Sequence, residues 1–341
     1  MPPILLHPPR PKKVSASLYR RWNWRRQVVT SGLRLLALAL FAALLWGGWY
    51  LANKGFGRQW RTKVVEELRK RGIEASVRRL TLDPFRGLVA QDLRIYDPTL
   101  RDTPLLSVSE VALDINYAAL LHQQPFLNAI DVRNADLTFP SPRSEPNTPR
   151  AQLKQFHAHV YFPPGQVYIS QAEGIFCGVR VSAAGQLINR ADRTPASSGT
   201  EEEWRQRMEW LQRIAEELGR FTFGGGPPSL QAKFMGDLSQ LDEARIEVTL
   251  SGERIQRGAY LIMALTAAGE WADQTVNLKQ LEWTDNGGAF SSRASWSAVT
   301  KEGDFQAHSS VNVKQLLEGF GLERYLADAS FTSPPEIELS G

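Results

Sequence analysis

From Ala75 to the end of the chain, apolar residues recur at every second position in runs broken by turn residues. A period of two sends successive side chains to opposite faces of an extended backbone, so each run predicts a strand with one apolar face. Val89, Leu93 and Ile95 form the first run, after a turn at Asp83-Pro84-Phe85-Arg86-Gly87. Val111, Leu113, Ile115 and Tyr117 then oppose Glu110, Asp114 and Asn116, and Ala135, Leu137 and Phe139 alternate with Asn134, Asp136 and Thr138. Further runs are Val179, Val181 and Ala183; Ile246, Val248 and Leu250; Phe290, Ala294 and Trp296; and Phe305, Ala307, Val311 and Val313. Pro163-Pro164-Gly165, Asp285-Asn286-Gly287-Gly288 and Lys301-Glu302-Gly303-Asp304 supply tight turns between them. Turns about 12–15 residues apart predict strands longer than the usual ~5–6 residues. The expected fold is mainly β: one N-terminal transmembrane helix, then a long antiparallel meander, a curved and groove-forming sheet with one or two amphipathic helices.

Two segments break the pattern. Residues 141–150, SPRSEPNTPR, carry three prolines and predict a loop. Residues 189–200 form a polar loop leading into a helix over 200–219, which Thr200 and Glu203 would open as a capping box and Gly219 would end. Its stripe of Trp204, Met208, Leu211, Ala215 and Leu218 requires an apolar partner, and the sheet face is the candidate. The helix would serve either as a gate over that face or as plain core. Alternation restarts at Pro334–Gly341, so the β domain of residues 75–341 is expected to continue beyond the chain end.

The N-terminal part obeys a different rule. Leu35 to Ala52, LLALALFAALLWGGWYLA, is an uncharged run. As a helix it spans ~27 Å, about one hydrocarbon core. Trp22, Trp24, Trp46, Trp49, Tyr50 and Trp60 flank it, where amphipathic rings favour the headgroup layer. A cleaved signal peptide would have a shorter apolar region, ~7–15 residues, and a small-residue cleavage site, which Asn53-Lys54-Gly55-Phe56 does not offer. A transmembrane helix is therefore expected over 33–52. The tail, residues 1–32, holds Arg10, Lys12, Lys13, Arg20, Arg21, Arg25 and Arg26 and no acid, which puts it in the cytoplasm by the positive-inside rule. Trp60, Val64, Val65 and Leu68 recur at helical spacing before Gly72 and predict a juxtamembrane amphipathic helix over 57–72.

The net charge of +4 conceals an uneven distribution. Residues 1–52 hold eight of the 40 Lys and Arg and none of the 36 Asp and Glu, leaving 32 basic against 36 acidic beyond them, a net −4. No basic domain is left to neutralise phosphates, which argues against nucleic acid as a partner. The basic tail suits anionic lipid heads instead. A lone cysteine, Cys177, excludes an internal disulfide framework. Nucleophile-elbow, zinc-protease, P-loop and dinucleotide motifs are absent, so no catalytic residue, cofactor or enzyme activity is expected. His157 and His159 could share a strand face, but two ligands are too few for a metal centre. His308 is read as facing solvent, and His7 and His122 have no context.

The basic tail, membrane span and amphipathic helix precede RGIEASVRRLTLDPFRGLVAQDLRIYD and PLLSVSEVALDINYAALLHQQPFLNAIDVRNADLTFP. In Pro84–Leu88, Asp97, Val108–Leu121 and Asn134–Leu137 this stretch, about residues 30–140, resembles the N-terminal region of AsmA-like envelope proteins. The passage VNVKQLLEGFGL, Val311–Leu322, is similar to a recurring strand–helix step of the same group. The resemblance implies an inner-membrane protein with its bulk in the periplasm, and a curved sheet whose inner face is a trough for lipid chains. It implies a role in phospholipid transport between membranes or outer-membrane biogenesis, with membrane lipids and outer-membrane or envelope-assembly proteins as partners. About 15 strands at ~4.8 Å reach only ~70 Å, short for a bridge across a periplasm. The trough candidates are Val89, Leu93, Ile95, Val111, Leu113, Ile115, Tyr117, Leu137, Phe139, Val179, Val181, Ile246, Val248 and Leu250. Trp204, Met208, Leu211 and Leu218 are the gate-helix candidates. The alternative is a membrane-tethered assembly or secretion factor, with the sheet closed as a sandwich and no lipid cargo.

Overall fold

The computed structural model describes residues 38–43, 46–47, 50, 61–62, 65–66, 69, 74–83, 86–96, 104–116, 119, 122, 127–139, 150–163, 166–188, 201–236, 242, 244–322, 324 and 334–341, with the side chains of 201–204 and 207 excepted. The chain divides into two units, residues 1–54 and 55–341. In the first, the described residues are helical, and Leu38, Leu40, Phe41, Trp46 and Tyr50 are exposed. No helix among the described residues is long and apolar enough to cross a membrane. The span expected over 33–52 and the helix over 57–72 lie largely outside them.

The second unit is built on one fifteen-stranded sheet. Its first seven strands are β1 (Glu74–Asp83), β2 (Gly87–Tyr96), β3 (Pro104–Ile115), β4 (Leu127–Thr138), β5 (Gln152–Tyr161), β6 (Gln166–Phe176) and β7 (Val179–Ile188). Helix α1 (Glu201–Leu218) follows, then β8 (Phe221–Phe223), β9 (Ser229–Gly236), β10 (Arg245–Arg257), β11 (Tyr260–Ala272), β12 (Thr275–Thr284), β13 (Ala289–Ser297) and β14 (Gly303–Ser309). Helix α2 (Val313–Phe320) and β15 (Ile337–Ser340) complete the chain. Each strand pairs antiparallel with the next, except that β7 pairs parallel with β9 and the short β8 pairs with β10. A parallel pair needs a crossover, and α1 lies within it. In the described pairings β1 and β15 each have a single partner, so the sheet is open.

Several strands carry irregular positions in their interiors. Asp92, Asn134 and Gln155 adopt left-handed φ near +50° inside β2, β4 and β5. The register slips between Val132 and Ala135, between Lys154 and His157, and between Ile169 and Ala172. Such a bulge adds one residue and shifts the phase of alternation. It also frees backbone groups that must be satisfied elsewhere. The Asn134 amide donates to His157 Nδ1 at 3.3 Å, its side-chain Nδ2 to Ser109 Oγ at 3.2 Å, and the Gln155 amide to Asp136 Oδ1 at 2.9 Å. Arg78 pairs with Asp92 at 3.1 Å. Polar side chains on neighbouring strands thus hold the left-handed positions of β2, β4 and β5.

The chain between Ser309 and α2 departs from the sequence expectation. Strand β14 stops at Ser309, Val311 is buried and Val313 opens α2. Asn312 ends the strand because its side chain accepts the Gln315 amide as the helix N-cap, and Gly321 closes the helix in the left-handed region at φ 70°. Of the helix expected over 200–219, α1 is formed; Thr200 and the Glu203 side chain lie outside the described residues. Its buried positions are Met208, Gln212 and Ala215, one face at i, i+4 and i+7, whereas Leu211 and Leu218 are half-buried. Arg257 on β10 reaches Glu217 of α1 at 3.1 Å.

A candidate apolar face across the sheet

Strand pairing places apolar residues directly beside one another from one end of the sheet to the other. One row runs Leu80, Ala90, Val111, Val132, Ala158, Ala172 and Ala183 through β1–β7. It continues as Ala232, Val248, Gly269, Leu278, Ala294 and Phe305 through β9–β14. A second row runs Leu82, Leu88, Leu113, Ile130, Val160, Ile169 and Gly185. It goes on through Phe234, Ile246, Trp271, Val276 and Trp296. A third crosses the later strands as Gly174, Val181, Leu230, Leu250, Ala267, Leu281, Ser292, Ala307 and Leu339. At ~4.8 Å between strands, the first row is roughly 60 Å long.

Between these rows the side chains of the opposite face are polar. Lys233, Glu247, Glu270, Asn277, Ser295 and Asp304 form one such row. Glu270 accepts from Arg245 at 2.6 Å and Lys279 at 2.5 Å, and these cations, Lys279 first, hold its carboxyl below the ordinary carboxylate range. On the earlier strands Glu110 and Asp131 face Arg86, Arg133 and His159. The hydrogen bond to Glu110 holds the Arg86 guanidinium above its usual range. An open hollow of about 720 Å³ among Lys279, Glu282, Arg293, Gln306, His308 and Glu338 lies on this charged side.

Little of the described chain covers the apolar rows at the far end. Val276 is 44% exposed, Trp296 46%, Phe305 45% and Leu339 56%. Soluble domains normally bury such a surface, at about 25 cal/mol per Å². Here it stays open to solvent over several adjacent strands.

Six of the expected trough residues lie in these rows, and the others lie beside them or elsewhere in the sheet. Val111, Leu113, Val181, Ile246, Val248 and Leu250 lie in them, and Ile115 extends the set by pairing with Leu127. Leu93 pairs with Val77 and Val108, Ile95 with Ala75 and Leu106, and Leu137 with Leu106 and Leu153. Val179 is buried opposite Phe176, whose ring meets Phe139 edge-on at 6.4 Å. Val89 pairs with Thr81 and Ala112, is buried, and lies in none of the three rows, which take its neighbours Leu88 and Ala90. Tyr117 and the Trp204 side chain lie outside the described residues.

Sequence reasoning missed β9, β11 and β12, and with them Leu230, Phe234, Leu265, Trp271, Leu278 and Trp283. In β11, YLIMALTAAGEWA is apolar on both faces, which hides the period, and in β12 the slip between Leu278 and Leu281 breaks it. His157 is engaged in accepting the Asn134 amide, and His159 packs edge-on against Tyr161 at 4.5 Å. Among the described residues no cluster of His, Cys, Asp or Glu could hold a metal ion. No protein-family model, no curated protein and no solved structure matches this chain.

Proposed function

We propose that the chain is a membrane-anchored lipid-handling protein, whose apolar sheet face holds acyl chains in phospholipid transport between membranes or in outer-membrane biogenesis. The observation that carries this reading is the unbroken apolar row from Leu80 to Phe305, which stays partly open to solvent at its far end. An open sheet presenting such a face needs a cover, and acyl chains supply one without directional bonds. Small alanines form that row through β5, β6, β7 and β9, beside the larger Val160, Ile169 and Phe234, which supports room for acyl chains there. The uncharged run Leu35–Ala52 behind an acid-free basic tail supports an inner-membrane anchor with the N-terminus in the cytoplasm and the sheet in the periplasm. The resemblance of residues 30–140 to AsmA-like proteins supports the same assignment.

Purification of the full chain in mild detergent, followed by mass spectrometry of bound lipids, tests this. Phospholipid is expected with the wild type and strongly reduced in Val248→Asp, whose substitution places a charge within the row. Absence of lipid from a folded wild-type protein would overturn the reading in favour of a protein partner on the same face.

A further inference from the structure

On the polar face, at the hairpin end of β5 and β6, two tyrosines are left in the open. Tyr161 and Tyr168 are a directly paired cross-strand couple, each 43% exposed, with ring centroids 6.2 Å apart and planes tilted by 31°. Their neighbours Val160 and Ile169 belong to the apolar row, so alternation turns both phenols to the opposite face. The rings are held in place. His159 packs edge-on against Tyr161, the Phe162 amide donates to the Asn128 carbonyl at 2.8 Å, and the Gln166 amide donates to the Pro163 carbonyl at 3.0 Å.

Around the rings lies a hollow of about 460 Å³ bordered by Asn128, Pro163, Gln166 and Gln186. This is within the size range of small-molecule sites. Its polar lining is carboxamide and phenol, with no charged side chain. Gln186 Nε2 donates to Gln166 Oε1 at 2.7 Å, which fixes both amides by pairing one end of each. The other ends of the two amides, Gln166 Nε2 and Gln186 Oε1, add a donor and an acceptor. That pair matches adjacent hydroxyls, each of which gives and takes a hydrogen bond. The ring faces, which carry negative charge density, suit the C–H-bearing flat side of a pyranose.

We propose that this hollow is a binding site for a neutral saccharide, with Tyr161 and Tyr168 as the stacking platform and Gln166 and Gln186 as the hydroxyl readers. A quaternary ammonium group would also sit over aromatic rings, but cages for such groups add charge or close around the cation. This hollow is open and lined by amides, which favours the sugar. The site faces away from the apolar rows, so it stands whether or not these carry lipid.

Saturation-transfer NMR on the full chain in detergent tests the assignment, with chitotriose, maltotriose and tetramethylammonium as separate probes. Transfer to the ring C–H protons of at least one sugar is expected. Tyr168→Ala should abolish it, and Gln166→Leu, which leaves both rings, should weaken affinity about tenfold. Thermal unfolding of Gln166→Leu should match the wild type, separating recognition from folding. No transfer to either sugar, equal transfer in Gln166→Leu and wild type, or transfer to tetramethylammonium alone would each overturn the proposal.

Discussion

Trp283 donates its indole N–H to the Tyr260 hydroxyl at 2.9 Å while its ring stacks on Phe290 at 3.8 Å. The contact ties strand β12 to the start of β11 beneath α2, where Tyr260 is only 1% exposed. Asp285 completes the knot. Its Oδ1 accepts the Gly287 and Gly288 amides of the β12–β13 turn at 2.6 and 2.8 Å, and its Oδ2 accepts the Asn312 amide at 2.9 Å. One buried phenol and one carboxylate thus join a hairpin to the helix that follows the next strand. Tyr260→Phe leaves the Trp283 N–H without its acceptor and should cost about 1–3 kcal/mol, read as a lower urea midpoint. Gly319→Ala should be no milder, since a Cβ there would meet the Tyr260 Cβ at 2.6 Å and the Arg257 carbonyl at 2.7 Å.

The same phenol predicts an alkaline limit. Burial pushes the Tyr260 hydroxyl well above its ordinary value of 10.0. The unfolded chain therefore loses this proton near pH 10 while the folded chain keeps it. Its contribution is fully present below pH 10 and lost as pH rises beyond it. Unfolding free energy measured from pH 8 to 11 should fall above pH 10, and Tyr260→Phe should flatten that fall.

Glu270 sets the opposite dependence at the acid end. Its carboxyl, held by Lys279 and Arg245, titrates below the ordinary 4.5. The contribution is present above that value and disappears as pH drops through the lowered one. Glu270→Gln should leave denaturant midpoints at pH 3 nearer to the wild type than those at pH 6.

How much of this was legible in the sequence turns on the bulges. Strict alternation links Val89 to Leu93, yet the apolar rows take Leu88 and Ala90, and Asp92 stands at φ 51° between Ala90 and Leu93. Strand β4 passes from Ile130 and Val132 to Ala135 and Leu137 across Arg133 and Asn134, where its register with β5 slips. The slip is written in the sequence as two successive polar residues inside an apolar alternation, a signal that a fixed period discards. The strand class, the tight turns and α1 were legible because each rests on local chemistry. The parallel β7–β9 pairing was not, since nothing local in either strand specifies the crossover.

Asn134 tests the bulge reading. Its φ of 50° is tolerated by asparagine but costs a β-branched residue about 1–2 kcal/mol. Asn134→Val also removes the hydrogen bond to Ser109. The variant should be destabilised by about 2 kcal/mol in urea unfolding. Asn134→Gly, which relieves the φ but not the lost bond, should recover part of that.

Arg257 gathers α1 and α2. It reaches Glu217 at the end of α1, and its guanidinium lies 5.0 Å from the Phe221 ring of β8 and 4.3 Å from the Phe320 ring of α2. The planar group stacks and bonds at once, which an ammonium does not do. Arg257→Lys keeps the charge beside Glu217 and gives up the stacking, so its effect isolates the rings. It should lower stability by about 1 kcal/mol. Hydrogen exchange should quicken near Phe320 in that variant while staying unchanged at Leu218. Arg257→Ala should quicken both. Equal exchange at both helices in the two variants would mean that the charge alone, without the rings, holds α1 and α2 to β10.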